Sequence, residues 1–130
     1  MKKLMSEALL AASEDENLKP HRSCYIKQDY GYLQVCAIGA IMTKTRPKKI
    51  IQEFSNIHHP RSAIIQEICK GTRNACEPLP DNVLKKYPGL KQGIWAYGGK
   101  KTWIDLVEYL FEMKYYSFVQ IANILRRYDK

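Results

Sequence analysis

The stretch Cys24-Tyr-Ile-Lys-Gln-Asp-Tyr-Gly-Tyr-Leu-Gln-Val-Cys-Ala-Ile-Gly-Ala40 decides most of the fold. Two short segments rich in Tyr, Ile, Leu and Val flank a turn at Gly31, which can adopt the positive φ that a tight turn needs. This pattern predicts a β-hairpin. The small residues of Cys36–Ala40 predict a buried helix that permits close packing of a neighbouring helix. Because a hairpin alone is marginally stable in water, we expect it to lie against helices.

Helical periodicity dominates the rest of the chain, and Ser117-Phe-Val-Gln120 has the form of a capping box. The predicted helices are Lys3–Ser13, Cys36–Thr43, one that starts at Thr45-Arg-Pro47, one from Pro60 to Gly71, a short one at Asp81, one behind Thr102 and one behind Ser117. We therefore expect a mainly α fold: a single compact multi-helix domain over residues 1–130, with one small β-hairpin near the N-terminal third.

Length and composition exclude several classes of protein. A chain of 130 residues with 45% hydrophobic and 26% charged residues can bury about two thirds of its unfolded surface and needs no disulfide or metal to fold. No apolar run approaches the roughly 20 residues of a membrane-spanning helix. The apolar Ala8–Ala12 stretch is too short for a secretory signal. We expect a cytoplasmic protein, or one inside the host cell if a phage encodes it, with four free cysteine thiols.

The net charge of +8 is confined to the middle of the chain. Residues 1–42 carry five basic and five acidic side chains, and residues 102–130 carry four of each. Residues 43–75 carry seven basic and two acidic side chains, and residues 76–101 carry five and two. A localised excess of this kind indicates a basic face for an anionic partner.

Two segments are candidates for that face. The first is the cluster Lys44, Arg46, Lys48 and Lys49. The second is the Gly93–Trp103 segment, in which Lys100 and Lys101 can meet a phosphate and Trp95 and Tyr97 can stack on a base. The alternative for the first cluster is a solvated helix start. The alternative for the second is a plain turn with core aromatic residues.

Cys36 is a candidate nucleophile because it lies at a predicted helix N-terminus, with His58 or His59 as its base. The alternative is a buried packing residue, since free cysteine is among the most buried residue types. The histidine and cysteine spacings do not match a structural zinc site, so we expect no metal and no cofactor.

The last two predicted helices resemble the first two of a helix-turn-helix. Three features speak against a DNA-binding role there. Tyr115 occupies the turn where such motifs favour glycine, Phe111 is bulky where a small residue is expected, and residues 102–130 have no net charge.

The order of hairpin, turn glycine and Cys36-Ala-Ile-Gly-Ala40 resembles a group of small uncharacterised bacterial and phage proteins, which carry a glycine followed closely by Cys-Ala-Leu-Gly-Ala. A looser similarity extends over Ile94–Leu110. The resemblance implies a similar architecture and no particular activity.

The leading hypothesis from the sequence is a small non-catalytic intracellular binding or regulatory protein. Its basic face would meet nucleic acid, a nucleotide or an acidic protein surface. One alternative is a small cysteine-dependent enzyme that uses Cys36 with His58 or His59. Another is a phage or mobile-element protein that inhibits a host protein.

Overall fold

The computed structural model describes residues 2–22, 25–55, 59–93 and 99–129, and these ranges form a mainly α domain with a small sheet. The predicted fold class is confirmed. The elements are α1 (Met5–Ser13), β1 (Leu18–Pro20), β2 (Ile26–Asp29), β3 (Tyr32–Val35), α2 (Ala37–Thr45), α3 (Lys48–Phe54), α4 (Arg61–Gly71), α5 (Asp81–Lys86), a 3₁₀ helix (Pro88–Lys91), α6 (Trp103–Glu112) and α7 (Phe118–Arg126).

The hairpin forms where the sequence predicts it. Strands β2 and β3 pair antiparallel from Ile26 opposite Val35 to Asp29 opposite Tyr32. Gly31 has a φ of +72°, as the tight turn requires. The Asp29 carboxylate accepts a hydrogen bond of 2.8 Å from the backbone N–H of Tyr30 and so fixes the turn.

A third strand, β1, was not predicted. It pairs parallel with β3, so the strand order is β1-β3-β2. The predicted hairpin is therefore part of a three-stranded sheet. Leu18–Pro20 is only three residues long and ends in proline, which gives no alternating pattern to recognise. An edge strand tolerates Pro20 because an edge position does not require every backbone N–H to join the ladder.

Helix α2 is the buried centre of the domain and packs against α1, α4 and α6. Cys36 caps it: the Cys36 Sγ accepts a hydrogen bond of 3.4 Å from the backbone N–H of Gly39. The small residues serve close packing, as predicted, and at Gly39 the close neighbour is the start of the hairpin. A Cβ atom on Gly39 would overlap the backbone carbonyl of Tyr25, where the chain enters β2.

The C-terminal helices show the predicted caps and apolar faces. The backbone N–H of Thr102 donates to Asp105 Oδ2 over 2.8 Å, and that of Ser117 donates to Gln120 Oε1 over 2.8 Å. Helix α7 packs mainly against α1. The apolar residues that repeat at helical spacing in the two C-terminal helices are buried, namely Trp103, Leu106, Val107, Leu110, Phe111, Phe118, Ile121, Ala122 and Leu125.

A disulfide joins Cys69, in the last turn of α4, to Cys76, in the loop that follows. Their Cα atoms are 6.0 Å apart, a separation that suits a disulfide. The expectation of four free thiols is wrong for this pair, because the loop turns back on the end of α4 where Lys3 and Thr72 form a β-bridge. Cys36 is a free thiol, and Cys24 lies outside the described residues.

Candidate functional site

The predicted basic cluster on α2 and α3 is partly neutralised. Lys44 Nζ lies 2.5 Å from an oxygen of Asp15, and this hydrogen bond is the main cause of the lowered pKa of Asp15. Arg46 Nε donates to Glu67 Oε1 over 3.0 Å. Lys48 and Lys49, in the first turn of α3, remain exposed. Half of the cluster therefore serves the internal structure, because it offsets carboxylates of α4 and of the segment after α1.

The second predicted cluster precedes α6. Lys100 is exposed, and Lys101 is half-buried, with its backbone carbonyl accepting a hydrogen bond of 2.9 Å from the N–H of Leu79. Trp95 and Tyr97, the predicted stacking residues, lie outside the described residues. The first cluster lies at the end of α2 and the start of α3, whereas Lys100 and Lys101 precede α6.

Cys36 has the properties of a packing residue. Its side chain is only 5% exposed, and burial raises the pKa of its thiol to about 12. A nucleophilic cysteine needs access and a lowered pKa, which is the opposite combination. The His59 ring stacks on Phe54 with centroids 4.2 Å apart, and its Nε2 lies 3.0 Å from the carbonyl oxygen of Glu53. His58 lies outside the described residues.

Acidic side chains of residues 102–130 bind partners in other parts of the molecule. The guanidinium of Arg61 bridges two of them, with one nitrogen 2.8 Å from Asp105 Oδ1 and Nε 2.9 Å from Glu108 Oε1. The carboxylate of Asp129 accepts a hydrogen bond from the hydroxyl of Ser6 in α1. The neutrality of residues 102–130 in the sequence therefore does not describe their outer surface.

Six basic side chains are exposed on α5, on the 3₁₀ helix and around α7, and none forms an ion pair with another described residue. We call them the C-terminal basic surface; they are Lys85, Lys86, Lys91, Lys114, Arg126 and Arg127.

Contacts with tyrosines connect these elements. Lys86 Nζ lies 6.0 Å from the Tyr87 ring, and Lys114 Nζ lies 5.8 Å from the Tyr109 ring. A Cβ atom on Gly89 would overlap the hydroxyl of Tyr109, so the 3₁₀ helix touches α6. The pKa of Tyr87 is raised, chiefly by burial and also by Tyr128 and Tyr116, while Arg127 lowers it. Tyr87 therefore lies close to the residues that precede and follow α7.

Sequence reasoning missed the C-terminal basic surface. The lysines of residues 76–101 were counted as part of the middle of the chain, and Lys114, Arg126 and Arg127 were counted against acids that the fold directs elsewhere. The only sequence signal for them is the charge excess of residues 76–101, which does not say which helix those lysines approach.

The described residues contain no group of three or more His, Cys, Asp or Glu side chains placed to hold a metal ion. Within the same ranges, no helix is both long enough and apolar enough to cross a membrane. Comparison with protein-family models, with curated proteins and with solved structures finds no match.

Proposed function

We propose that this protein is a non-catalytic binding protein whose basic surfaces meet an anionic partner, and that the partner is nucleic acid. The observation that carries the proposal is the C-terminal basic surface, in which six cations have no acidic partner among the described residues. Cations without acidic partners can bind phosphates, and the counterions released from nucleic acid on binding favour the complex.

An extended anion fits better than a compact one. Lys48 and Lys49 lie on α3, whereas the C-terminal basic surface is carried by α5, the 3₁₀ helix and the ends of α7. Cations spread over several elements suit a polymer with regularly spaced phosphates. The function so proposed needs no cofactor, and it implies an intracellular location, where nucleic acid is present.

The test is equilibrium binding of fluorescent mixed-sequence DNA and RNA to the full chain, followed by anisotropy at two salt concentrations. We expect binding that weakens about 10- to 100-fold between about 50 mM and 200 mM salt, as a few phosphate contacts require. Replacing Lys114, Arg126 and Arg127 together by glutamine should weaken binding at the lower salt concentration. Replacing Lys19 and Lys27, exposed on β1 and β2, by glutamine is the control and should change it little.

Two outcomes contradict the proposal. If nucleoside triphosphates bind and polymers do not, the partner is a nucleotide. If neither binds at low salt, nucleic acid and nucleotide are both excluded. An acidic protein surface, such as the host protein of the phage hypothesis, then becomes the anionic partner to test.

A further inference from the structure

The C-terminal helices are joined by a turn whose backbone fits a helix-turn-helix. Four residues, Met113–Tyr116, separate the end of α6 from the N-cap Ser117. Such units use turns of three to four residues that often contain glycine. Tyr115 has a φ of +57°, in the left-handed region that glycine adopts easily. The backbone thus has the conformation for which a helix-turn-helix usually employs glycine.

Phe111 and Tyr115, the bulky residues that argue against the motif in the sequence, both make ring contacts in the structure. The Phe111 ring stacks on Phe118 with centroids 5.5 Å apart, so a large side chain fills the contact between α6 and α7. The guanidinium of Arg22 lies 4.1 Å from the centroid of the Tyr115 ring. The backbone N–H of Tyr116 closes the turn with a hydrogen bond of 3.2 Å to the carbonyl of Leu110.

Helix α7 has one buried face and one exposed stripe. Val119, Asn123 and Arg126 follow each other at intervals of four and three residues, which places them on one side of the helix, and all three are exposed. We call them the α7 stripe. The side chain of Gln120 is not part of it, because its Oε1 accepts the N–H of Ser117 in the capping box.

The side chains of the α7 stripe match the edges of base pairs in the major groove. Asparagine can form two hydrogen bonds with adenine, arginine can form two with guanine, and an apolar side chain can contact the methyl group of thymine. An α-helix with its side chains has a diameter of about 10–12 Å, which is close to the width of about 12 Å of that groove.

The charges beside the stripe suit the phosphates on both sides of such a groove. Arg22 and Lys114 lie at the turn that precedes α7, and Arg127 lies just after α7. The nearby carboxyl of Glu112 has a raised pKa, chiefly because it is partly buried and also because of Glu108, while Arg22 lowers it. Asp105 and Glu108 are bound to Arg61, so they do not confront a phosphate placed against α7.

We propose that α6 and α7 form a helix-turn-helix unit that places α7 in the major groove of duplex DNA. This inference rests on the proposed function and specifies its partner. Asn123 and Arg126 contact base edges, whereas Arg22 and Lys114 contact phosphates. Duplex RNA is not the partner, because the major groove of A-form RNA is too deep and narrow for side chains to reach the bases.

The experiment is selection of duplex DNA of about 20 base pairs from a randomised pool by the full chain, followed by measurement of affinity for the selected duplex and for a scrambled duplex. We expect enrichment of a sequence. Asn123→Ala and Arg126→Ala should each reduce the preference for the selected duplex by about 5- to 150-fold. Lys114→Gln should weaken both duplexes and reduce the slope of log affinity against log salt concentration by about 1.

Matched controls are Gln66→Ala, exposed on α4, and Lys27→Gln, exposed on β2. Both should bind as the unchanged protein does. Circular dichroism and thermal unfolding of each variant should match those of the unchanged protein, because the substituted side chains are on the surface.

The outcomes separate this inference from the proposed function. If the chain binds DNA with the expected salt dependence but enriches no sequence, or prefers duplex RNA or single strands, the helix-turn-helix assignment is wrong and nucleic-acid binding stands. The assignment is also wrong if sequence preference survives both Asn123→Ala and Arg126→Ala. If no nucleic acid binds at low salt, both proposals fail together.

Discussion

Tyr115 is the one described residue other than glycine with a positive φ, and its side chain is 67% exposed. A residue with a Cβ atom in this conformation costs roughly 1–2 kcal/mol, which the contact of its ring with Arg22 offsets by about 0.5–1 kcal/mol. The residue is thus a compromise between an unfavourable backbone and a favourable ring contact. The two contributions can be separated because one substitution removes both and another removes only the ring.

We predict that Tyr115→Gly has a free energy of unfolding equal to that of the unchanged protein or up to about 1 kcal/mol higher. Glycine relieves the backbone and loses the ring. Tyr115→Ala also loses the ring but keeps the strained backbone, so it should be less stable than Tyr115→Gly by about 1 kcal/mol. Urea unfolding of the three proteins measures this difference. Equal stability of the glycine and alanine variants would show that the turn does not hold this conformation in solution.

Single residues show which structural roles can be predicted from the sequence. The packing role of Gly39 and the turn at Gly31 were predictable, because each follows from the absence of a side chain. The contact that makes Gly39 necessary was not predictable, since the carbonyl of Tyr25 approaches it only after the hairpin has folded onto α2. The left-handed backbone at Tyr115 was likewise not predictable, because this conformation favours glycine.

At the scale of elements, Arg61 ties the first turn of α4 to α6. The Glu108 side chain is 15% exposed, and burial raises its pKa although its bonds to Arg61 act in the opposite direction. A carboxyl whose pKa is raised by folding stabilises the folded state below its unfolded pKa. This contribution is lost as the pH rises through the folded pKa. The positive charge of Arg61 therefore stabilises the charged form of Glu108 at neutral pH.

We predict that Arg61→Met lowers the free energy of unfolding by about 2 kcal/mol at pH 7. That is less than the loss expected from a fully buried pair, because the Arg61 side chain is 43% exposed. The loss should shrink as the pH is lowered from 7, because the raised pKa of Glu108 lets this carboxyl bind a proton in place of its lost partner. Chemical unfolding at several pH values measures this.

The control for this prediction is Arg73→Met. Arg73 pairs with Glu7 at the surface, where both side chains are about half exposed. The loss there should be smaller, below about 1 kcal/mol, and no buried carboxyl is left behind. If Arg61→Met lowers the free energy of unfolding by the same amount at every pH measured, the buried state of Glu108 is contradicted.

The disulfide closes the loop that leads from α4 toward α6. The carbonyl of Ala75, within this loop, accepts a hydrogen bond of 3.1 Å from the N–H of Ile104. The carbonyl of Glu77, just after the loop, accepts one of 3.2 Å from the N–H of Trp103. These bonds satisfy two of the N–H groups that the first turn of any helix leaves unpaired. The cross-link between Cys69 and Cys76 therefore supports the start of α6.

We predict that reducing this disulfide with dithiothreitol lowers the free energy of unfolding by about 2–3 kcal/mol, as the entropy of a loop of this size implies. Amide hydrogen exchange at Trp103 and Ile104 should become faster. The double variant Cys69→Ser and Cys76→Ser should be insensitive to the reductant. Free-thiol titration that finds Cys69 and Cys76 already reduced in the untreated protein would contradict the prediction.

The helices were largely predictable from the sequence, whereas β1 was not. The apolar spacing and capping residues of α6 and α7 are local, and each is visible within about a dozen residues. Strand β1 exists because Leu18 and Leu33 come together from separate parts of the chain. Pairing between distant segments leaves almost no local signal in a three-residue strand.

For the molecule as a whole, the distribution of charge was predictable along the chain but not in space. The sequence correctly concentrates the excess of basic residues in residues 43–101. The fold then neutralises Lys44 and Arg46 internally. Tyr87, which follows the exposed lysines of α5, lies close to the residues that flank α7. The candidate interface in the structure therefore differs from the one that the sequence predicts, because ion pairs between distant segments cannot be read from local composition.

The packing of α1 against α7 also determines when the core can be completed during synthesis. The two helices make the most extensive contact between elements of the described chain, although they stand at opposite ends of the sequence. A ribosome synthesises α1 first, so the part of its buried surface that packs against α7 has no partner until α7 has emerged. The domain therefore completes its core only after α7 has been synthesised, and the early segment must be kept from aggregating until then.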